Sequence, residues 1–147
     1  MSNISLMTSS EIEQYALLYI RAYSVDPWRE EYKTNQIIDY IKRFINNNER
    51  YGVIFKIDDI IIGLVLGIKI PAPDGDYFRI EDMCIKSTEQ RKGYGSEFFK
   101  QLKNFIKRNG MDSIVLGTVK DYPSFDFYIK NGFKYMDASA LMFCELN

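Results

Sequence analysis

The sequence predicts an α/β fold in a single domain, and two observations lead to this prediction. Segments rich in β-branched and aromatic residues alternate with segments whose apolar residues recur at helical spacing. The length of 147 residues is that of one ordinary domain, and no repeat, low-complexity stretch or linker interrupts it. We therefore expect one domain over residues 1–147.

The N-terminal part predicts a strand followed by an amphipathic helix. A short strand is expected over Asn3–Met7. Thr8 and Glu11 have the spacing of a capping box, so a helix is expected over Ser9–Tyr23, where apolar residues repeat every three or four positions. Pro27 disfavours helical backbone at the residue before it and ends this element.

A second helix and a β-hairpin are expected next. Thr34 is the predicted N-cap of the helix, which ends near Asn46. Two β-rich runs, Tyr51–Ile57 and Ile60–Ile70, are joined through Asp58-Asp59, a hairpin signal. Because the second run is almost continuously apolar, we expect it to be buried on both faces.

The second half predicts a central strand, a long helix and a further strand. The strand is expected over Tyr77–Ile85 and the amphipathic helix from about Ser96 to Asn109. Gly110 is the expected glycine after that helix, and Ser113–Val119 is the next strand.

A short helix and one or two final strands complete the predicted order. Asp121 is the expected N-cap of the helix, Pro123 lies in its first turn, and Asn131-Gly132 ends it. The apolar run from Phe133 to Glu145 is expected to supply the final strands.

Composition excludes several classes of protein. The formal net charge of −1 gives no basic field for nucleic acid, and no apolar run reaches the length of a membrane span. The N-terminus lacks a signal-peptide pattern, so we expect a cytoplasmic protein. The absence of histidine removes Ser-His and Cys-His mechanisms and makes a zinc site unexpected.

A glycine-containing turn precedes the long helix and predicts an anion site. The turn reads Gln90-Arg-Lys-Gly-Tyr-Gly95, and the first N–H groups of a helix have no intrahelical partner. Gly93 lacks a Cβ atom, so a phosphate can approach the main chain there. Arg91 and Lys92 add positive charge at the turn.

This Gln-x-x-Gly-x-Gly pattern resembles motif A of the GNAT acetyltransferase superfamily. Asp121 to Phe133, Asp-Tyr-Pro-Ser-Phe-Asp-Phe-Tyr-Ile-Lys-Asn-Gly-Phe, resembles motif B of the same superfamily, about 30 residues further on. The motifs cover about residues 51–133. The resemblance implies a single-domain GNAT fold, in which about four helices flank a mixed, twisted sheet of six or seven strands.

The resemblance also implies that acetyl-CoA is the co-substrate and that no metal is needed. The strand residues Met83, Cys84 and Ile85 would pair their main chain with the pantetheine arm. The pyrophosphate would lie against the turn residues, which are Gln90, Arg91, Lys92, Gly93, Tyr94, Gly95 and Ser96. Asp121 stands where the family commonly has Asn, and serves either the cofactor or only as a helix cap.

Two residues are candidates for proton transfer. Glu81 is expected to accept the amine proton, and strand alternation would place it on one face with Arg79, Met83 and Ile85. Its structural alternative is a simple ion pair with Arg79. Tyr128 matches the family tyrosine that protonates the leaving thiolate, and its structural alternative is a core aromatic residue.

The sequence indicates fewer residues for binding the acceptor amine than for binding acetyl-CoA. Alternation would point Asp82 away from Glu81, as an orienting group, and Trp28 lies in the connector that often walls the acceptor site in the superfamily. Cys84 is expected to be a small buried residue rather than an acetyl-carrying thiol, because nothing nearby would lower its pKa.

The expected function is transfer of acetyl to a primary amine by direct attack, with an aminoglycoside-like or polyamine-like acceptor favoured. A protein N-terminus or lysine is the second choice for the acceptor, and a catalytically silent acyl-CoA-binding module is the rival class. No nucleic-acid or membrane partner is expected. Both a monomer and a homodimer remain open, since the apolar C-terminal run suits either.

Overall fold

The computed structural model describes residues 1–146. It divides into two compact units, Met1–Gly117 and a smaller one that begins at Thr118. The first unit carries a β-sheet with helices, which confirms the predicted α/β class. The prediction of one domain over residues 1–147 remains a prediction.

The sheet of the first unit has five strands in chain order. Neighbouring strands are antiparallel except for the last pair, which is parallel because a helix connects its two members. The strands are β1 Ser2–Leu6, β2 Arg50–Ile57, β3 Ile60–Ile70, β4 Tyr77–Ile85 and β5 Ser113–Leu116.

The hairpin between β2 and β3 has the predicted two-residue turn. Asp58 and Asp59 have φ angles of 49° and 67°, and Ile57 pairs with Ile60 across them. Two consecutive positive φ angles match the type I′ turn, whose twist fits that of antiparallel strands. Short polar residues such as Asp tolerate this conformation, so the prediction of the hairpin is confirmed.

Within residues 1–146, three helices belong to the first unit and one to the second. They are α1 Ile12–Tyr23, preceded by a 3₁₀ turn at Ser9–Glu11, then α2 Thr34–Lys42, α3 Tyr94–Arg108 and, in the second unit, α4 Pro123–Lys130. The number of helices agrees with the prediction, and α3 begins two residues earlier than expected.

Of the three predicted N-caps, Thr8 is confirmed in position, as the N-cap of the 3₁₀ turn, whereas Thr34 and Asp121 are wrong. Thr8 makes no side-chain capping bond, and its N–H donates instead to the Tyr15 hydroxyl over 3.1 Å. Thr34 is already helical, because the Gln36 side chain reaches back to the N–H of Lys33 (3.3 Å) and begins α2 there. Asp121 precedes the N-cap of α4, which is Tyr122.

The glycines expected after α3 and α4 are confirmed. Gly110 has a φ of 80°. Its N–H donates to the carbonyl oxygen of Lys107, and the N–H of Met111 donates to the carbonyl oxygen of Ile106. Gly132 ends α4 in the same way with a φ of 96°. Both ends are Schellman motifs, which satisfy the last helical carbonyls.

The sheet of the first unit separates two apolar layers. On one face α1 and α2 pack on alternate residues of the central strands, including Leu64, Leu66 and Cys84. On the other face α3 buries Phe98, whose ring stacks on that of Phe55 at 5.0 Å. The strand β3 is therefore covered on both faces, as its continuous apolar run predicted.

The predicted count of six or seven strands is wrong. Within residues 1–146 there are five strands; β5 ends at Leu116, and no strand forms after α4. The apolar side chains of Leu141, Met142 and Phe143 are more than 90% exposed. Strand-like composition yields a strand only where a neighbouring strand accepts its main-chain hydrogen bonds, and this segment pairs with none.

Candidate functional site

A β-bulge lies in the middle of β4. Leu66 of β3 faces Asp82, but the next residue, Gly67, faces Ile80. Glu81 is consequently an extra residue without a partner on β3. A bulge of this kind interrupts strand alternation and directs two consecutive side chains toward one side of the sheet.

The bulge overturns the prediction that Glu81 and Asp82 point in opposite directions. Asp82 faces α1 and α2, where its carboxylate meets tyrosines of both helices. Glu81 faces the same layer, since Ile68, the partner of its neighbour Arg79, packs against the α1 and α2 core. The two carboxylates therefore share one face.

Met83 and Ile85 lie on the opposite face from Glu81, which corrects the predicted alternation. A Cβ atom built on Gly63, the partner of Ile85 on β3, would lie 2.7 Å from Ile85 Cδ1 and 3.3 Å from the ring of Phe98. Phe98 belongs to α3, so Ile85 faces the α3 layer. Met83, two residues earlier, shares that face.

The Asp82 carboxylate is held by tyrosine hydroxyls from two helices. Tyr19 of α1 donates to Oδ1 over 3.0 Å, and Tyr40 of α2 donates to Oδ2 over 2.6 Å. The Tyr23 hydroxyl also hydrogen-bonds to Asp82, and lies 3.4 Å from the carbonyl oxygen of Met83. Asp82 itself is partly buried and retains contact with solvent.

Aromatic rings surround this carboxylate. The ring of Tyr19 lies 4.7 Å from that of Tyr23, 5.6 Å from Tyr32 and 6.2 Å from Tyr40, measured between centroids. Trp28 packs edge-to-face on Tyr23 at 5.4 Å. We call Asp82 with Tyr19, Tyr23, Tyr32, Tyr40 and Trp28 the tyrosine cluster.

Burial dominates the electrostatics of the tyrosine cluster. It raises the pKa of Asp82, and the hydrogen bonds from the tyrosines only partly oppose this effect. Burial and the nearby Asp82 charge raise the pKa values of Tyr19 and Tyr40. A hydrogen bond to Glu30, with burial, raises the pKa of Tyr32 to about 12. The phenols therefore act as donors and remain protonated.

Glu81 forms an ion pair, the structural alternative considered for it. Its Oε1 lies 2.6 Å from Arg79 Nε, and its side chain is 32% exposed. An exposed ion pair of this type contributes about 0–1 kcal/mol. Another cation can thus readily replace Arg79 as the partner of Glu81, which remains accessible from solvent.

The turn before α3 has the geometry expected of an anion cradle. Arg91 and Gly93 have φ angles of 66° and 82°, and Gly93 is the N-cap of α3. No side chain caps this helix, and a Cβ atom on Gly93 would meet nothing within 4 Å. The space beside Gly93 is thus open, and the first N–H groups of α3 receive no side-chain cap, which fits a pyrophosphate group.

Two side chains of the turn have partners within the first unit. Gln90 Nε2 donates to the carbonyl of Ile85 over 3.1 Å, which ties the turn to the end of β4. Lys92 Nζ lies 2.9 Å from Glu89, while Arg91 is exposed. The remaining predicted turn residues, Tyr94, Gly95 and Ser96, form the first turn of α3 and are partly buried.

The edge of β4 that faces β5 becomes available next to this turn. The parallel pairing with β5 covers Tyr77 to Ile80 and ends at the bulge, whereas pairing with β3 continues to Ile85. From Glu81 to Ile85 the main chain therefore has no strand partner on that edge. This opening fits a pantetheine arm along Met83, Cys84 and Ile85.

Cys84 has no property of a nucleophile. Its side chain is buried in the α1 and α2 layer, and burial together with the Asp82 charge raises the pKa of its thiol. A protonated thiol is a poor nucleophile. The expectation of a small buried residue is confirmed.

The second unit carries the other two predicted residues. Tyr128 lies on α4, partly buried, with its ring 5.3 Å from that of Phe133 and 5.2 Å from that of Phe127. Asp121 is exposed one residue before the N-cap. The roles predicted for both residues stay predictions.

Sequence reasoning missed the tyrosines that surround Asp82. They come from α1, the following connector and α2, and nothing in their spacing connects them with β4. Only the excess of tyrosine, 11 in 147 residues, signalled an aromatic feature.

Residues 1–146 contain no group of three or more acidic, cysteine or histidine side chains arranged to hold a metal ion. Within the same range, none of the helices has the length and apolarity needed to cross a membrane.

Several solved structures share this fold. A GNAT family acetyltransferase from Staphylococcus aureus superposes with a TM-score of 0.76 at 20% identity, over 99% of this chain and 98% of that one. An aminoglycoside acetyltransferase from an uncultured soil metagenomic sample, in complex with sisomicin, has a TM-score of 0.75 at 13% identity, over 99% of this chain and 97% of that one. AAC(6')-Iy, in complex with a CoA bisubstrate analogue, has a TM-score of 0.78 at 12% identity, over 100% and 99%.

These identities show the fold alone. Compared by sequence with curated proteins, the chain matches none. The family model described as the acetyltransferase (GNAT) family matches residues 14–133, most of the chain. The open turn before α3 and the freed edge of β4 agree with this match, and the chain belongs to the GNAT family of acetyl-CoA-dependent acetyltransferases.

Proposed function

We propose that the enzyme transfers acetyl from acetyl-CoA to a primary amine of a small cationic acceptor by direct attack. The observation that carries this proposal is the bulge in β4, which puts Glu81 and Asp82 on one face next to the main-chain edge suited to pantetheine. Two carboxylates on this face favour a positively charged acceptor. The resemblance to aminoglycoside acetyltransferases of the same fold supports the same class of acceptor.

The main chain of the first unit would bind the co-substrate. The N–H groups at the start of α3, with Arg91, would hold the pyrophosphate, and Met83 to Ile85 would bind the pantetheine arm. Acetyl-CoA supplies the thioester. The N–H groups of the β4 edge would polarise its carbonyl oxygen.

Glu81 would act as the base. An alkyl amine with a pKa of about 10.4 is mostly protonated at pH 7, which costs about 4.6 kcal/mol before it can attack. The amine nitrogen forms a bond to the thioester carbon, and the carbon–sulfur bond breaks. Glu81 accepts a proton from the nitrogen, and Tyr128, on the strength of the motif match, donates one to the departing sulfur.

The experiment that tests this proposal has two measurements. Acetyl-CoA should raise the melting temperature of the protein, and at 100-fold excess over Kd the stabilisation is about 2.7 kcal/mol. Release of free CoA should then depend on an added amine, in a panel of monoamines, diamines, aminoglycosides and peptides with free N-termini or lysines. Stabilisation by acetyl-CoA without amine-dependent release would identify a silent binding module. Preference for peptides would contradict the small-amine acceptor.

A further inference from the structure

We propose that the tyrosine cluster around Asp82 binds a second, non-reacting ammonium group of the acceptor, so that the natural acceptor carries at least two cationic nitrogens. This inference rests on the proposed function, which makes the ligand an acetyl acceptor. Binding of the ligand can nevertheless be measured without acetyl transfer.

Asp82 is a partly buried carboxylate without a cation. Among residues 1–146, none of the ion pairs includes it; Arg79 lies against Glu81 instead. Its hydrogen-bond donors are neutral phenols. Burial of a negative charge is unfavourable unless a positive charge accompanies it, and neutral donors offset only part of that cost. A bound ammonium group would supply the missing charge.

The surrounding rings are suited to the same ligand. Faces of tyrosine and tryptophan attract cations, and this attraction increases when the cation is partly removed from water. Tyr23, Tyr32 and Trp28 are partly exposed, whereas Tyr19 is 5% exposed at the base of the cluster. The arrangement therefore has a solvent-accessible aromatic rim and a carboxylate within reach of it.

The bound nitrogen cannot be the one that reacts. A carboxylate and aromatic faces stabilise the protonated amine and raise its pKa. An attacking amine must be neutral, so the environment of Asp82 opposes nucleophilic attack there. Glu81, on the same face and more exposed, is the carboxylate proposed for the reacting nitrogen. A diamine or polyamine can occupy both positions, whereas a monoamine can occupy one.

The first test measures binding without acetyl-CoA. Trp28 is the protein's single tryptophan, so its fluorescence reports on ligands of the tyrosine cluster. 1,4-Diaminobutane should perturb this fluorescence in the native protein and bind at least tenfold more weakly to Asp82→Asn. The matched control is Asp39→Asn, which removes the same charge from an exposed position on α2 and should bind like the native protein.

A second variant tests the inference independently, in case Asp82→Asn does not fold. Tyr32→Leu removes one aromatic face and keeps the carboxylate, and we expect several-fold weaker diamine binding. The melting temperature and circular dichroism of each variant establish that it is folded. If folded Asp82→Asn and Tyr32→Leu both bind the diamine as tightly as the native protein, or if the native protein does not bind it at millimolar concentration, the inference is overturned.

The second test uses acetyl transfer to separate this inference from the proposed function. Asp82→Asn should lower kcat/KM for 1,4-diaminobutane at least tenfold more than it lowers kcat/KM for butylamine. Equal effects on both amines would contradict the inference while amine acetylation stands. Binding that depends on Asp82, with no acetylation of any amine, would instead support the inference and contradict the proposed function.

Discussion

The Tyr40 hydroxyl donates a 2.6 Å hydrogen bond to Oδ2 of Asp82, and thereby joins α2 to the bulge of β4. The bond is short because its acceptor carries a charge. Since Tyr19 of α1 donates to the other oxygen, one carboxylate connects both helices to the central strand. This connection is a structural role for Asp82 in addition to the proposed binding role.

Tyr40→Phe should lower the free energy of unfolding by about 1.5–3 kcal/mol, the usual contribution of a hydrogen bond to a charged group. For a protein of this size the melting temperature should fall by several degrees. The matched control is Tyr51→Phe, which removes an exposed bond to the carbonyl of Asn48 (3.2 Å) and should change stability by about 0.5 kcal/mol or less. If thermal or urea unfolding showed that Tyr40→Phe and Tyr51→Phe lose equal stability, the contribution assigned to a hydrogen bond with a charged acceptor would be contradicted.

Burial of Asp82 should give stability a specific pH dependence. Because its pKa is raised in the folded state, the folded protein binds the Asp82 proton more tightly than the unfolded chain. This contribution to stability is present below the ordinary Asp pKa of about 3.9, and is lost as pH rises from there through the raised folded pKa.

The measurement compares the native protein with Asp82→Asn by urea unfolding at a series of pH values. Native stability relative to the variant should decrease as pH rises above about 4 and become constant above the folded pKa. A relative stability that increases with pH would mean that hydrogen bonds outweigh burial and lower the pKa of Asp82. Asp39→Asn provides the exposed control and should show no comparable trend.

Gly93 provides a test of the anion cradle. Gly93→Asp and Gly93→Asn introduce side chains of the same size, and both residues tolerate the positive φ of 82°. Only Asp adds a negative charge at the start of α3, where it would repel phosphate. Calorimetry should show much weaker acetyl-CoA binding to Gly93→Asp than to Gly93→Asn. Similar affinities for the two variants would argue against pyrophosphate binding at this turn.

Glu81→Gln should lower kcat/KM on the order of 10²-fold, because the side chain keeps its size and loses its basicity. Steady-state rates with an amine acceptor at several pH values provide the measurement. Glu13→Gln, at an exposed position in the first turn of α1, is the control and should behave like the native enzyme. If Glu81→Gln kept the native kcat/KM at every pH, Glu81 would not be the general base.

Tyr128→Phe should lower kcat on the order of 10²-fold and leave the Kd for acetyl-CoA nearly unchanged, since only the phenolic hydroxyl group is lost. Tyr135→Phe, another tyrosine of the second unit and 42% exposed, is the control. A large loss of acetyl-CoA affinity with normal kcat would point to a packing role for Tyr128.

The sequence by itself determined the parts of the molecule that depend on local chemistry. The hairpin at Asp58-Asp59, the glycine ends of α3 and α4, and the turn at Gly93 all need particular backbone conformations that few residue types adopt. Such requirements can be recognised in a few consecutive residues. The family resemblance depended on the same local features.

Only the tertiary structure decided the arrangement around β4 and the final number of strands. The bulge at Glu81 arises from pairing with β3, and it reverses the relation between Glu81 and Asp82 that alternation predicted. The tyrosines around Asp82 come from elements far apart in sequence and meet through helix packing. Strand formation after α4 likewise depends on a pairing partner. These features result from contacts between distant residues, which spacing along the chain does not specify.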